Sequence, residues 1–234
     1  MKFNTKDQNI FFSADVHYSH KNICGGVSNW VKPFGFVPKP DDDREYAIWP
    51  IPYADWKDDK ARKEFCTENG LRDFPTIEKM NSTIVNNFNQ TIGQNDILFL
   101  IGDVGFGGKE SVGEFMKRLT CKNVYLIFGN HDRNIENNID GVRGYFKSCD
   151  YYKEIYVDGQ HIVLLHYAMR VWNKSHRGSL MLYGHSHGSL PDDPNALSID
   201  VGVDTNDMMP YSFEEIKKIM QKKTYQPIDH HREQ

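Results

Sequence analysis

Three apolar-rich runs, at 9–14, 96–101 and 123–128, predict short buried strands. Each closes on a cluster of polar residues. Further on, 154–157 and 161–165 flank Asp158-Gly159, the pattern of a β-hairpin. Residues 180–183 and 197–203 read as two more strands. Between the runs the period changes. Ile77, Met80, Ile84, Val85 and Phe88 fall on one stripe of a helix from Pro75 to Thr91, with Pro75 suited to the first turn. A second helix is expected over 110–119, and Ser212 with Glu215 forms a capping box opening the last one. Strands interleaved with helices predict an α/β fold, in which ligands bind outside the carboxyl ends of the strands.

Residues 31–70 break this pattern. They hold Pro33, Pro38, Pro40, Pro50 and Pro52, and Trp30, Trp49 and Trp56 lie in or beside them. The prolines exclude a long helix through the first half, while one short helix fits between Asp55 and Glu68. Asp41-Asp42-Asp43-Arg44-Glu45 reads as a solvated face. An aromatic-rich irregular segment of this length is a lid or binding loop, or else a surface excursion packed by its own tryptophans. Both readings stay open at this point. So does the question whether Trp30, Trp49, Trp56, Tyr46 and Tyr53 stack on a base, on one another or on a second copy. The chain is expected to form one domain, 1–234, carrying this insertion.

Composition narrows the setting. A net charge of -4 and a pI of about 6.2 argue against a broad electrostatic footprint for nucleic acid, though not against a local basic patch. Cys24, Cys66, Cys121 and Cys149 form no C-x-x-C pair and read as free thiols in a reducing compartment. Residues 1–7 lack the apolar run of a signal peptide, and no apolar segment is long enough to cross a bilayer. A cytoplasmic protein with no membrane partner is the expectation.

The polar clusters carry metal-type side chains. Asp15 and His17 follow the first run, Gly102-Asp103 the second, and Gly129-Asn130-His131-Asp132 the third. His166 closes the hairpin's second strand, and His185 and His187 follow 180–183. Carboxylates supply hard oxygen, and neutral imidazole suits transition metals. Each cluster alone also fits a turn residue or a solvated histidine. Their recurrence at successive strand ends favours one shared site. His20 is read as structural, His161 as an ordinary edge residue, and 226–234, with His230 and His231, as a polar tail. Gly105, Gly107 and Gly108 read as turn chemistry. Lys109 is followed by Glu110, so the phosphate-loop pattern is absent.

Taken in chain order, Asp15-x-His17, Gly102-Asp103, Gly129-Asn130-His131-Asp132, His166 and Gly184-His185-Ser186-His187 resemble the calcineurin-like metallophosphoesterase superfamily. Tyr167-x-Met169-x-x-Trp172-Asn173, running on to 175–179, is similar to its small stand-alone bacterial and phage members. The resemblance implies a two-sheet β-sandwich flanked by helices, the four-layer metallophosphoesterase fold, with the metals at one sheet edge. It implies Asp15, His17 and His187 on a first metal, Asn130, His166 and His185 on a second, and Asp103 bridging both. His131 would not be a ligand. It would stabilise developing charge or protonate the leaving oxygen, with Asp132 orienting its imidazole. The implied cofactors are two divalent transition metal ions. Manganese comes first and Fe, Zn, Ni or Co are alternatives, because the set holds nitrogen and oxygen but no thiolate. Two such ions clamp the attacking and leaving oxygens of a phosphoryl displacement, and a bridging water deprotonated near neutral pH is the nucleophile.

Two departures narrow the substrate. The loop after Asp103 reads Val104-Gly105-Phe106-Gly107-Gly108, without the Arg of the superfamily's protein phosphatases, and the acid of the third motif is Asp132 where they carry Glu. The expected function is therefore hydrolysis of phosphodiesters, a cyclic nucleotide or a short nucleic acid. A phosphomonoesterase acting on nucleotides or small metabolites is the alternative. A metal-binding scaffold that recruits a partner through the insertion is the alternative of another class. Arg72, Arg170 and Arg177 are the candidates for binding substrate phosphate. A recombination-repair nuclease is not expected, because those relatives carry extra DNA-binding domains.

Overall fold

The structure, a computed structural model, describes residues 1–28, 51–137 and 141–228. Trp30, Tyr46, Trp49, the prolines from Pro33 to Pro50, the acidic run at 41–45, and His230 with His231 lie outside the described residues. The chain divides into two compact units, Met1–Tyr18 with Ile84–Gln234, and Ser19–Thr83. The expected insertion at 31–70 falls inside the second unit.

Among the described residues the first unit holds ten strands: β1 (Lys2–Phe3), β2 (Ile10–Ser13), β3 (Ile97–Ile101), β4 (Asn123–Ile127), β5 (Ser148–Asp150), β6 (Tyr152–Val157), β7 (Gln160–Leu165), β8 (Leu180–Tyr183), β9 (Ser198–Asp200) and β10 (Tyr211–Ser212). They form two sheets, ordered β1-β6-β7-β8-β9 and β10-β2-β3-β4-β5. In the second sheet β2 to β5 run parallel and β10 antiparallel. Alternate side chains of a strand face opposite ways. Phe12, Ile97, Phe99, Ile101 and Ile127 therefore meet Ile155, Val157, Ile162, Leu164, Leu180 and Leu182 of the first sheet in one core. Leu98, Leu100, Val124 and Leu126, on the alternate positions, are fully buried as well. Burial on both faces explains why β3 reads as an unbroken apolar run.

Among the described residues the helices are α1 (Asp59–Glu68), α2 (Ile77–Thr91), α3 (Lys109–Arg118), α4 (Arg133–Glu136) and α5 (Phe213–Met220). Phe88 of α2 and Phe115 of α3 meet edge-on at 6.1 Å. The Ser212–Glu215 capping box opens α5 as expected. The hairpin forms between β6 and β7, and Asp158 and Gly159 take φ values of 49° and 84°. Both central residues at positive φ is what a two-residue turn matching strand twist requires. Edge strands β1, β5 and β10 have only two or three residues and offered no period to read. The strand expected at 197–203 stops at Asp200, and the chain enters a 3-10 turn, Val203–Thr205. His161 is not an edge residue. It lies on β7, the middle strand of its sheet, and is buried. There its Nε2 stands 2.8 Å from Glu154 Oε2, and its ring stacks on Tyr156.

The second unit is held by local pairings. Gly25 N donates to Arg72 O at 2.9 Å and Arg72 N to Ile23 O at 2.6 Å. The Asp58 carboxylate caps α1 through the amides of Lys60 and Ala61. Cys66 and Leu71 form a small core with Tyr53, Trp56 and Phe65. The Tyr53 hydroxyl donates to Asp73, which also accepts from the Arg62 guanidinium. Of the five aromatics weighed as a stacking surface, the two described ones thus pack within the unit. His20 precedes the 3-10 turn Lys21–Ile23 without capping it through its side chain.

Candidate metal centre

Parallel strands release their carboxyl ends on one edge, and the two sheets bring theirs together. Beyond β2, Ala14 N donates to Val201 O and Asp15 N to Gly102 O. Gly184 N donates to His166 O, and His185 N to Asp15 Oδ2 at 2.8 Å. Asp15, His17, Asp103 and His166 form a buried floor, while Asn130, His131 and His185 are exposed and His187 is half-buried.

The chain takes unusual conformations to arrange these side chains. Asp15, His17, Asp103, His185 and His187 all have positive φ, between 48° and 68°. A non-glycine residue held there costs about 1–3 kcal/mol and persists where the surroundings over-determine it, typically at functional sites. Two glycines make room. At Gly129 an added Cβ would come within 2.2 Å of Asp103 Oδ1, and at Gly102 within 2.2 Å of His166 Nδ1. The backbone passes so close to the donors that only a glycine fits.

The result is two donor groups: Asp15, His17 and His187, and Asp103, His166 and His185, each with one donor atom per residue within 4.8 Å of the others. His17 Nε2 and His187 Nε2 stand 3.1 Å apart, and each is 3.9 Å from Asp15 Oδ1. Asp103 Oδ2 joins the groups, 3.6 Å from His17 Nε2 and 3.5 Å from His166 Nε2. Asn130 Oδ1 lies 3.1 Å from His166 Nε2. Ligand atoms about 2.1 Å from one ion stand about 3.0–3.5 Å from each other, so the closer spacings fit a shared coordination sphere. The donors' outer atoms are fixed too. His166 Nδ1 donates to Ile101 O at 2.8 Å, which leaves Nε2 as the free lone pair. His187 Nδ1 lies 2.7 Å from Asp204 Oδ2. A ligating histidine held by a carboxylate or carbonyl at its second nitrogen is the usual arrangement in metal sites. The residues present fit two divalent ions.

Asp204 was not legible in the sequence, where it falls in a turn without a recognisable motif. Asp200 was missed as well; its carboxylate accepts from Gly188 N and Gly202 N, holding the loop that carries His187. An Asp204→Ala variant is expected to bind metal about 10–100-fold more weakly, as loss of such outer partners generally does, with the fold retained. Metal titration of the stripped variant against the parent measures this.

His131 lies at the rim. Its backbone N–H donates to Asp103 Oδ1, and its ring, 43% exposed, has Nε2 4.0 Å from Asp103 Oδ2. Phe106 packs beside it at 4.6 Å. Asp132 does something other than orient that imidazole. Its buried carboxylate accepts from Asp103 N and Gly129 N at 2.8 Å and from Val104 N at 3.0 Å, clamping the loops after β3 and β4. Arg72 is buried, and Arg170 and Arg177 are exposed with no ion pair to any described residue.

Charge is in tension here. Burial raises the Asp15 carboxyl to about 7 against the pull of His187 and His166. Burial also pushes Asp103 up, but its hydrogen bond to His166 and the nearby histidines outweigh that and leave it at about 2. The same Asp103 overcomes burial of His166 and raises it to about 8. Burial and the charge of His166 lower His185. For the metal-stripped protein the signs are fixed by linkage. Folded Asp15 holds a proton that the unfolded chain releases near 3.8, so stability falls as pH rises from about 4 to 7. The contribution of His166 is present below 6.5 and lost as pH rises through 8. That of Asp103 is lost only as pH falls from 3.8 through 2. The stripped protein should melt at progressively lower temperature between pH 5 and 8. Metal, which needs the deprotonated donors, should reverse that trend; thermal melts with and without metal check both signs.

A model of the family described as calcineurin-like phosphoesterase matches residues 9–206. An uncharacterized protein of Methanocaldococcus jannaschii, MJ1445, is 26% identical over 157 residues, which cover 64% of this chain and 81% of that protein. The crystal structure of AQ665, a protein of unknown function from Aquifex aeolicus, shares the fold with a TM-score of 0.55 at 18% identity, over 91% of this chain and 99% of that one.

Proposed function

We propose, for a chain that belongs to the calcineurin-like phosphoesterase family, that its substrates are phosphodiesters, a nucleotide diester or a short nucleic acid. A metal-dependent phosphoesterase follows from the family and the two donor groups; the choice of diester rests on the rim. The observation that carries it is His131, an exposed imidazole beside Asp103, above a loop with no cationic side chain at 104–108. A monoester dianion brings a second negative charge, for which the loop at 104–108 offers no cationic partner beside the metals. A diester brings one charge, which suits a rim without cations, and its leaving alkoxide takes a proton that an exposed imidazole can deliver.

The donor set would hold two divalent transition metal ions, manganese being our first choice. When bound, the ions would stabilise charge on the phosphoryl oxygens and lower the pKa of water. Asp103 stays anionic and shared between the two groups. Asp204 and the Ile101 carbonyl keep the Nε2 atoms of His187 and His166 available as donors. Asp132 holds the loops that position Asp103 and His131. His131 protonates the leaving oxygen. The cysteines are free thiols, which supports a reducing, cytoplasmic setting. No helix among the described residues is long and apolar enough to cross a membrane.

The test is metal-stripped protein reloaded with manganese and offered bis-p-nitrophenyl phosphate and p-nitrophenyl phosphate side by side. Faster turnover of the diester is expected. A preference for the monoester would establish the phosphatase reading instead. No turnover of either with two metals bound would favour the scaffold.

A further inference from the structure

The metal donors lie at the carboxyl ends of the strands, and a roomy concavity is lined by residues that flank two of them in the chain. A cleft of about 420 Å³ opens on the face of the β1-β6-β7-β8-β9 sheet turned away from the sandwich core. Val163, Trp172, Met181 and Tyr183 pack on that face, while Ile162, Leu164, Leu180 and Leu182 point into the core. The volume falls in the usual range of small-molecule sites, about 300–1,000 Å³. The cleft wall lies within two residues of the second donor group along the chain. Ala168, on its wall, comes two residues after His166, and Tyr183 comes two before His185. Two residues span at most about 7 Å. Tyr167, which links His166 to Ala168, is 46% exposed, with its ring 4.7 Å from His185 and 5.2 Å from His166.

We propose that this cleft receives the nucleoside of a nucleotide diester whose phosphorus sits at the metal centre. The inference rests on the diester reading and adds the place in the fold that takes the nucleoside. Its chemistry comes from the walls. Met169 and Ala196, with the exposed edges of the otherwise buried Trp172 and Tyr183, offer apolar and aromatic surface to a planar ring. The Asn195 amide meets the Thr224 hydroxyl at 2.8 Å, which leaves at least one N–H as a donor to a carbonyl of a pyrimidine. Arg170, on the same wall, makes no ion pair with a described residue, and a guanidinium is suited to phosphoryl oxygens. This also gives Arg170 a place next to the chemistry although it lies outside the donor groups. A purely apolar ligand would leave Arg170 and Asn195 unused, and a bare phosphate would leave the aromatic surface unused. A nucleoside with its phosphoryl group uses both.

Two measurements test this. The first needs no turnover: thymidine 5′-monophosphate is titrated into the metal-stripped protein and followed through the Trp172 indole resonance, assigned with Trp172→Phe. Binding should weaken at least tenfold in Ala196→Trp, which fills the cleft, and in Arg170→Ala, an exposed position that leaves packing intact. Thymidine itself should weaken only in Ala196→Trp. The second compares thymidine 5′-p-nitrophenyl phosphate with ethyl p-nitrophenyl phosphate on the metal-loaded enzyme, two esters with one leaving group. Ala196→Trp should raise KM at least tenfold for the thymidine ester alone, with metal content and melting temperature unchanged. Absence of nucleotide binding to the parent, or equal binding by both variants and the parent, overturns the proposal. Nucleotide binding that the variants abolish, without turnover of either ester, keeps the cleft and overturns the diester reading instead.

Discussion

Asp103→Ala is expected to empty the metal centre and reduce phosphoester turnover to that of the metal-stripped protein. Asp103 Oδ2 lies within 4 Å of donors from both groups, 3.6 Å from His17 and 3.5 Å from His166. Its other oxygen accepts from the His131 amide. Alanine removes the shared oxygen and the charge that keeps His166 paired, so the second group loses its anionic member and the first loses the oxygen that links it to the second. The loss should exceed the 10–100-fold expected for an outer partner such as Asp204. Metal content by elemental analysis, read beside a melting curve to show that the fold persists, is the measurement. Two metals retained in Asp103→Ala would refute the bridging role.

His131→Ala should behave in the opposite way, keeping both metals and slowing turnover by about 10²–10⁴, the range for general acid–base help. Its ring is exposed and reaches no closer than 4.0 Å to Asp103 Oδ2, whereas the inner donors approach to 3.5–3.6 Å. The protonating role predicts a further sign. Substrates with acidic leaving groups, such as p-nitrophenol, should lose less than those with alkoxide leaving groups, because the former depart without a proton. Equal metal loss in His131→Ala and Asp103→Ala would show that His131 is a ligand after all.

Much of this centre was visible as residues before it was visible as a site. The runs at 9–14, 96–101 and 123–128 announce buried strands because burial on both faces removes polar positions, and the donors follow at their ends. The hairpin and the capping box were legible because each depends on a few adjacent residues. What escaped was non-local or too short. β1, β5 and β10 are two or three residues long and exist through pairing with longer neighbours. His161 looked like a polar edge residue because its partner, Glu154, comes from the facing strand. Asp132 looked like a partner for the neighbouring imidazole, yet three backbone amides from two loops claim its oxygens.

Taken alone, the sequence determined the kind of chemistry: nitrogen and oxygen donors without thiolate, delivered at the ends of apolar strands in the order of one phosphoesterase family. Such features depend on composition and short-range period, which a single chain displays in full. Only the tertiary structure decided which atoms meet. His17 and His187 are 170 residues apart, and their Nε2 atoms come within 3.1 Å because two sheets share an edge and five donors take positive φ. The same packing recruits Asp204 to His187 and sets a cleft beside His166 and His185. These depend on distances between remote segments, and no local period encodes such distances.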